Sequence, residues 1–182
     1  MSPADKPLAV VTGVGPGTGA SIARRFAEGG YRVAMLARNE ARLSALEQEI
    51  LDSIAVPCDV RDPAQIERAL SRTGMPKVLV HNAVGGAFGT IDTIQPSVLQ
   101  HNFDVNTMAL FHLAKIVSPA MVAAGEGAII VTGNTSAQRG RPNFIGFAPT
   151  KAAQRILAES LARDLGPKGV HVAYLIIDAV ID

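Results

Sequence analysis

The stretch TGVGPGTGA, residues 12–20, decides the fold of this chain. It follows PLAVVTGV (7–14), an apolar run that predicts a buried strand, and it opens GTGASIARRFAEGG (17–30), which predicts a helix closed by glycines. Glycine lets the backbone turn tightly here and approach a pyrophosphate, whose charge then lies at a helix N-terminus. A glycine cluster alone is a weak signal, but its position between a first strand and a helix is typical of dinucleotide binding.

We therefore predict that Gly13, Gly15, Gly17 and Gly19 contact a dinucleotide, the alternative being a tight turn with only a structural role. The glycines fit the dinucleotide-binding pattern in two registers, Gly13/Gly17/Gly19 and Gly15/Gly17/Ala20. The sequence does not choose between these two registers.

Short apolar runs and longer amphipathic stretches alternate along the rest of the chain. The further predicted strands are 31–38, 53–60, 77–83, 127–133 and 171–177, and the further predicted helices are 39–50, 62–72, much of 96–124, and roughly 145–165. Strict alternation of this kind indicates a doubly wound parallel sheet with helices on both faces, a three-layer α/β/α Rossmann fold. The length of 182 residues fits one domain, residues 1–182.

Composition and charge argue against several kinds of partner. The chain has 17 basic and 16 acidic side chains, a net charge of +1, and no block of like charge, which disfavours a nucleic acid or a membrane surface. We expect no apolar run long enough to cross a bilayer, and the N-terminus lacks the pattern of a signal peptide. The one cysteine, Cys58, suits a reducing compartment, so we expect a cytoplasmic protein.

The end of the second predicted strand bears on the choice of cofactor. An acidic residue there would meet the ribose hydroxyl of a cofactor that lacks the 2′-phosphate. The segment LARNEARL (36–43) instead has Arg38, with Arg42 one turn further on. Because arginine attracts a phosphate, NADP(H) is favoured over NAD(H). The alternative is that Arg38 is simply a solvated side chain at a strand end.

Five features occur in the order found in short-chain dehydrogenases/reductases. They are TGVGPGTG (12–19), CDV (58–60), LVHNA (79–83), FDVN (103–106) and Lys151. The chain resembles this family over essentially its whole length. The resemblance implies cofactor contacts from the glycine turn, from Asp59 after the third strand and from Asn82 after the fourth. It also implies a catalytic set of Asn, Ser, Tyr and Lys, with the last two spaced Tyr-x-x-x-Lys.

Only part of that catalytic set is present. Asn106 and Lys151 match, and the resemblance also gives Lys151 a role in binding the cofactor ribose. Phe147 stands at the tyrosine position, and Asn134 stands at the serine position, close to Ser136. Phenylalanine cannot donate a proton, and an asparagine amide hydrogen-bonds but is not an acid near neutral pH. We therefore expect a retained cofactor site without the family's proton donor.

Structural alternatives stay open for these residues. Phe147 could pack in an apolar pocket, and Asn106 could hydrogen-bond to backbone within its helix. Tyr174 lies in a predicted central strand and is expected in the core rather than as a substitute acid. The four histidines, at positions 81, 101, 112 and 171, have no metal-like spacing, so no metal site is predicted.

Two functions fit this set of residues. The first is an NADP(H)-dependent oxidoreductase acting on a small molecule that needs no tyrosine acid, such as an iminium or a conjugated alkene. The second is a non-catalytic nucleotide-binding or oligomerising relative. The resemblance implies a homodimer or homotetramer through the helices at 96–124 and 145–165, with Ala152, Ala153 and Ala158 allowing close approach.

The C-terminal end also departs from the family pattern. IIDAVID (176–182) stands where the family has a Pro-Gly turn, and no substrate loop, further helix or seventh strand follows. We therefore expect either a truncated chain or an unresolved tail, with the C-terminal region that shapes the substrate pocket missing from this sequence.

Overall fold

A parallel sheet forms the centre of the molecule. In the computed structural model, which describes residues 6–178, six strands pair in the order β3-β2-β1-β4-β5-β6. They are β1 (Leu8–Thr12), β2 (Arg32–Ala37), β3 (Ser53–Pro57), β4 (Val78–His81), β5 (Gly127–Gly133) and β6 (Val170–Ile176). The strand order reverses between β1 and β4, and ligands of such sheets bind beyond the carboxyl ends of the strands at this point.

Helices cover both faces of the sheet. They are α1 (Thr18–Glu28), α2 (Glu40–Glu49), α3 (Pro63–Thr73), α4 (Pro96–Phe103), α5 (Ala109–Ala124) and α6 (Ala148–Leu165). Ala23 of α1 and Leu43 of α2 belong to the core on one face. Leu70 of α3, Leu113 of α5 and Ala158 of α6 belong to the core on the other face. The doubly wound Rossmann fold predicted from the sequence is confirmed.

Local sequence explains where the helices begin. Asn39 caps α2, its side chain accepting a hydrogen bond from the backbone N of Arg42 at 2.9 Å. Asp62 caps α3 through the backbone N of Ala64, also at 2.9 Å, and Pro63 is the first residue of that helix. The last helix, α6, begins at Ala148, slightly later than the predicted start.

The predicted long helix between β4 and β5 is interrupted. A π-helical segment, Asp104–Met108, separates α4 from α5, and Pro119 lies inside α5. The hydrophobic pattern did not predict this change of helical type. π-helical turns frequently occur at functional sites, and this one contains Asn106.

The expectation that no apolar run is long enough to span a bilayer is wrong as to length. The helical stretch Pro96–Ala124 is 29 residues long, with a mean hydropathy of 1.4 over its most apolar window. Its buried side chains include Leu110, Leu113 and Val117, which pack in the core beside the sheet. Burial within the protein accounts for part of this apolar composition, since 39% of that window is buried.

One part of the expected subunit interface also needs correction. Ala158 was expected to allow close approach between subunits, but its side chain is 2% exposed and packs in the core of a single chain. Ala152 and Ala153 are only partly buried. Large apolar side chains that do face outward on these helices are Phe111 and Ile156, 43% and 50% exposed.

Two expectations concern residues outside the described range. The expectation of no signal peptide depends partly on residues 1–5. The departure at the C-terminal end extends over residues 179–182.

Candidate active site

The glycine turn joins β1 to α1 at the carboxyl edge of the sheet. Gly13 has a φ of +68°, and a Cβ there would lie 2.4 Å from the Cα of Ala83. A Cβ on Gly19 would lie 2.7 Å from the carbonyl oxygen of Gly13. A Cβ on Gly15, by contrast, would meet no atom within 4 Å. Glycine is therefore required at two positions of the register Gly13/Gly17/Gly19, while Gly15 lies in open space.

A cavity of about 530 Å³ lies against this turn, and we call it the glycine-turn cavity. Its lining includes most of the residues predicted to contact a cofactor: Gly13, Gly15, Gly17, Gly19, Arg38, Asp59 and Asn82. The volume is in the range of small-molecule and cofactor sites. Residues from the ends of four strands thus meet around one space.

Positive charge lines the part of this cavity nearest β2. Arg38 and Arg42 both line it and are both exposed. Within residues 6–178, neither arginine forms an ion pair. Two guanidinium groups without carboxylate partners suit a phosphate group.

Asp59 lines the same cavity and is held by a neighbouring arginine. Its Oδ2 lies 2.5 Å from Nη2 of Arg61, and its Oδ1 lies 3.0 Å from Nε of Arg61. The Arg61 guanidinium holds the pKa of Asp59 below its usual value. Nη1 of Arg61 also lies 3.0 Å from Nδ1 of His101, another residue of the lining. Asp59 is therefore an ionised acceptor with a fixed orientation.

Asn82 fastens the glycine turn to the middle of the sheet. Its Nδ2 donates to the carbonyl of Gly13 at 3.0 Å, and its Oδ1 accepts from Oγ1 of Thr132 at 3.0 Å. Its backbone N donates to Oγ1 of Thr12 at 3.2 Å. Asn82 thereby connects the carboxyl ends of β1, β4 and β5.

A second, smaller cavity of about 170 Å³ lies beyond the ends of β5 and β6, and we call it the aromatic cavity. It is lined by Phe88, Asn134, Thr135, Ser136, Arg139, Arg141, Phe144, Phe147 and Asp178. The residues at the predicted serine and tyrosine positions, Asn134 and Phe147, thus lie in one cleft. Phe147 is 4% exposed, and its ring centroid lies 5.2 Å from that of Phe88. Phe147 both packs against an aromatic ring and borders the cavity.

Asn106 is buried and lines neither cavity. Its Oδ1 accepts from the backbone N of Gly85 at 2.9 Å. Its Nδ2 donates to the carbonyl of Gly85 at 3.0 Å and to Oγ1 of Thr150 at 2.8 Å. The amide group is thus fully engaged within the protein, where it ties the loop after β4 to the start of α6.

Lys151 is also buried and lines neither cavity. Its backbone N donates to the carbonyl of Phe147 at 3.2 Å, so the two residues lie one helical turn apart. Its Nζ donates to the carbonyl of Thr132 at 3.0 Å and to Oε1 of Gln154. Burial lowers the pKa of the Lys151 amine to about 8. In this position the side chain is apart from the glycine-turn cavity, where the resemblance would place it beside a cofactor.

Gln154 extends this buried hydrogen-bond chain. Its Nε2 donates to the carbonyl of Asn106 at 2.7 Å, and the same carbonyl oxygen lies 3.3 Å from Nε2 of His81. Nδ1 of His81 lies 3.1 Å from Oγ1 of Thr12. Burial lowers the pKa of His81 to about 4, so its imidazole is neutral near pH 7. A continuous polar chain therefore runs from Lys151 to the strand that precedes the glycine turn.

Tyr174 lies beside this network. Its hydroxyl is 3.4 Å from the carbonyl of Lys151, and burial raises the pKa of the phenol to about 12. A Cβ on Gly133 would lie 2.0 Å from the Tyr174 ring, so the ring fills the space that glycine leaves open. A phenol with this pKa is a poor proton donor at neutral pH.

Comparison with known proteins identifies the family. A family model described as short chain dehydrogenase matches residues 7–180. The chain belongs to the short-chain dehydrogenase family. D-erythrulose reductase of Gallus gallus is 31% identical over 165 residues, covering 90% of this chain and 67% of that protein. The 7alpha-hydroxysteroid dehydrogenase of Escherichia coli K12 is 30% identical over 176 residues, covering 92% of this chain and 69% of that protein.

A solved structure gives the same assignment. A metagenomic short-chain oxidoreductase in complex with NADP has a TM-score of 0.89 and 31% identity, covering 96% of this chain and 83% of that one. The family resemblance and the Rossmann fold inferred from the sequence are both confirmed.

The sequence did not predict a role for several residues that lie at or near the site of this short-chain dehydrogenase. His101 lines the glycine-turn cavity, and His81 and Gln154 form the buried chain, yet no role was assigned to them. Gln154 carried one usable signal, because it lies three residues after Lys151 and therefore on the same face of a helix. Arg139 and Arg141 carried no such signal, because a loop has no periodicity.

Proposed function

We propose that this chain is an NADP(H)-dependent oxidoreductase whose catalytic set lacks the tyrosine and serine of its family. The observation that carries the proposal is the meeting of the glycine turn, Arg38, Arg42 and Asp59 around one cavity of about 530 Å³. Gly15 lines this cavity, and a Cβ there would meet no protein atom within 4 Å, so the backbone at this position is open to close approach by a ligand. Two arginines without ion-pair partners among residues 6–178 support a ligand with an additional phosphate.

The start of α1 also fits a pyrophosphate. No side chain caps this helix at Gly17, and its first turn contains no acidic residue. The first N–H groups of a helix that lacks a side-chain cap are available to an anion, and the helix dipole favours negative charge there. In the proposal, the glycine turn holds the pyrophosphate, Arg38 and Arg42 hold the 2′-phosphate, and Asp59 and Asn82 contact the remainder.

The aromatic cavity restricts the chemistry. A nicotinamide cofactor, when bound, supplies or accepts a hydride. Reduction of a ketone also needs a proton delivered to oxygen, and neither Phe147 nor the amide of Asn134 can deliver one. The proposed substrate is therefore a small molecule that needs no tyrosine acid, such as an iminium or a conjugated alkene. The alternative within this proposal is that a water held by Asn134 and Ser136 supplies the proton.

A second candidate function is a nucleotide-binding relative without catalysis. The observation that favours it is that Asn106 and Lys151 are engaged by protein groups and line neither cavity. Retention of these two family residues then reflects packing and hydrogen bonding. A panel of carbonyl, imine and enone substrates separates the candidates, since a non-catalytic relative binds NADPH without oxidising it.

The cofactor preference is tested by titrating NADPH and NADH into the wild type and into Arg38→Asp. We expect NADPH to bind about ten to a hundred times more tightly to the wild type, because a charge-assisted phosphate contact contributes about 1.5–3 kcal/mol. Arg38→Asp should lose that advantage. Arg163→Asp, at an exposed position on α6, is the matched control and should behave as the wild type. Equal affinities in the wild type would remove the argument from Arg38.

The proposal includes a homodimer or homotetramer in the cytoplasm. Exposed apolar side chains on α5 and α6, Phe111 and Ile156, support an interface on these helices. The free thiol of Cys58 is buried and suits a reducing compartment. A monomer found by light scattering at micromolar concentration would contradict the oligomer.

A further inference from the structure

The aromatic cavity has one apolar wall. The rings of Phe88 and Phe144 have centroids 5.0 Å apart at an interplanar angle of 68°, and those of Phe88 and Phe147 are 5.2 Å apart at 55°. Three rings around a cavity of about 170 Å³ favour a flat, unsaturated group, which can stack on a ring face or meet a ring edge.

Hydrogen bonds to backbone carbonyls hold this wall in place. The backbone N of Gly89 donates to the carbonyl of Asn143 at 2.7 Å, which joins the loop carrying Phe88 to the loop carrying Phe144. Nδ2 of Asn102 donates to the carbonyl of Gly146 at 2.7 Å, just before Phe147. The aromatic rings are therefore attached to a preformed frame, and a ligand would not have to order these loops.

The remaining lining of the cavity is rich in hydrogen-bond donors. Oδ1 of Asn134 accepts from the backbone N of Ser136 at 3.1 Å, so Nδ2 is the group left to bind a ligand. Oγ1 of Thr135 donates to Oδ1 of Asp178 at 3.0 Å, which engages one oxygen of the cavity's carboxylate. The donors that line the cavity are therefore the Asn134 amide and the Ser136 hydroxyl, and they suit a ligand that accepts hydrogen bonds.

The charged side chains of this lining favour an anionic ligand. Arg139 and Arg141 line the cavity and are exposed. Within residues 6–178 neither forms an ion pair. Two guanidinium groups against the single carboxylate of Asp178 leave the lining with net positive charge. A planar carboxylate matches the guanidinium fork and can be coplanar with an attached unsaturated group.

The aromatic cavity lies beside the glycine-turn cavity. Asn134 directly follows β5, and Thr132 of β5 donates to Asn82, which lines the glycine-turn cavity. The two cavities are thus connected by the ends of neighbouring strands. A molecule in the aromatic cavity would lie next to a dinucleotide in the other.

We infer that the aromatic cavity binds an unsaturated or aromatic carboxylate, with the carboxylate at Arg139 and Arg141 and the flat portion against Phe88, Phe144 and Phe147. This inference rests on the proposed function, since it names the substrate class of the same site. The inference predicts that carboxylic acids bind in preference to neutral carbonyl compounds. The residues at the catalytic positions do not by themselves predict this preference.

The test uses trans-cinnamate and cinnamyl alcohol, which share a flat conjugated body and differ in the carboxylate. Each is titrated into the full chain by calorimetry in the absence of cofactor. Cinnamate should bind at least about ten times more tightly than the alcohol, a difference of about 1.4 kcal/mol. The double variant Arg139→Gln/Arg141→Gln should remove this advantage, and both positions are exposed, so the fold should be unaffected. Arg163→Gln is the matched control.

Further arms locate the anion. Arg38→Asp should leave cinnamate binding unchanged, and loss of binding in that variant would place the anion in the glycine-turn cavity and overturn the inference. Inorganic phosphate that displaces cinnamate at equal concentration would also overturn the assignment to a carboxylate. Equal binding of cinnamate and cinnamyl alcohol, with NADPH still bound, refutes the inference and leaves the proposed function standing. Cinnamate binding that depends on both arginines in a protein that does not bind NADPH supports the anion site and refutes the proposed function.

Discussion

The glycine-turn cavity and the buried region around Lys151 differ in whether their polar side chains have partners within the protein. In the cavity, Arg38 and Arg42 line a space of about 530 Å³ and form no ion pair within residues 6–178. Around Lys151, Nζ of Lys151 donates to Gln154, Gln154 donates to the carbonyl of Asn106, and the Asn106 side chain donates to Thr150. Arg38 and Arg42 thus remain available to a ligand, while Asn106 and Lys151, which match the family's catalytic set, are engaged within the protein.

The largest expected effect on stability comes from adding a side chain where the glycine turn packs closely against the loop after β4. Gly13→Ala would place a Cβ 2.4 Å from the Cα of Ala83, in a left-handed backbone conformation. Strain and overpacking together should lower the free energy of unfolding by about 4 kcal/mol or more. Gly15→Ala, which meets no atom within 4 Å, should have little effect on stability. Denaturant unfolding of the two variants tests this prediction. Similar unfolding midpoints for Gly13→Ala and Gly15→Ala would refute the requirement for glycine at position 13.

The buried region should be revealed by a pH dependence of stability. The pKa of Lys151 is about 8 in the folded protein and 10.5 as its ordinary value, so the unfolded chain binds more protons between these pH values. The contribution of Lys151 to the free energy of unfolding should therefore rise, by on the order of 3 kcal/mol, as pH increases from 8 to 10.5. Below pH 8 this contribution is at its lowest.

Lys151→Met isolates this effect, because other titrating groups are common to both proteins. Burial raises the pKa of Cys58 to about 11, for example, and that effect cancels in the difference. Urea unfolding at several pH values should give a wild type that gains stability relative to Lys151→Met as pH rises. Parallel pH profiles would show that Lys151 is solvated.

A smaller effect is expected at the aromatic cavity. Phe147→Tyr adds one hydroxyl to a ring that is 4% exposed but borders a cavity. If the hydroxyl reaches the cavity, the free energy of unfolding should change by about 1 kcal/mol or less. Phe144→Tyr, at another ring of the same lining, provides a comparison. A loss of several kcal/mol in Phe147→Tyr would place the ring edge in apolar packing instead.

The sequence allowed the residues of the glycine-turn cavity to be grouped because they follow the ends of strands, while their contact with a cofactor stays a prediction. Parallel strands bring their carboxyl ends to one edge, so Gly13, Arg38, Asp59 and Asn82 could be grouped without coordinates. The position of each residue directly after a predicted strand was enough to indicate that they lie close together.

The rest of the site depends on contacts that have no local pattern. His81 and Gln154 meet at the carbonyl of Asn106, although 25 and 48 positions separate them from it in the chain. The π-helical segment that positions Asn106 interrupts a hydrophobic pattern that looks regular in the sequence. Ala158 was assigned to a surface because a small residue on a helix fits an interface or a core equally well.

The central proposal is that the glycine-turn cavity binds NADPH and that the neighbouring aromatic cavity lacks a proton donor. Its most direct test measures NADPH binding and NADPH oxidation with an activated diketone, in the wild type and in Phe147→Tyr/Asn134→Ser. The wild type should bind NADPH and leave it unoxidised, while the double variant should oxidise it slowly and lose this activity when Lys151→Met is added. A wild type that binds no NADPH, or one that reduces the diketone as fast as the double variant, would contradict the account.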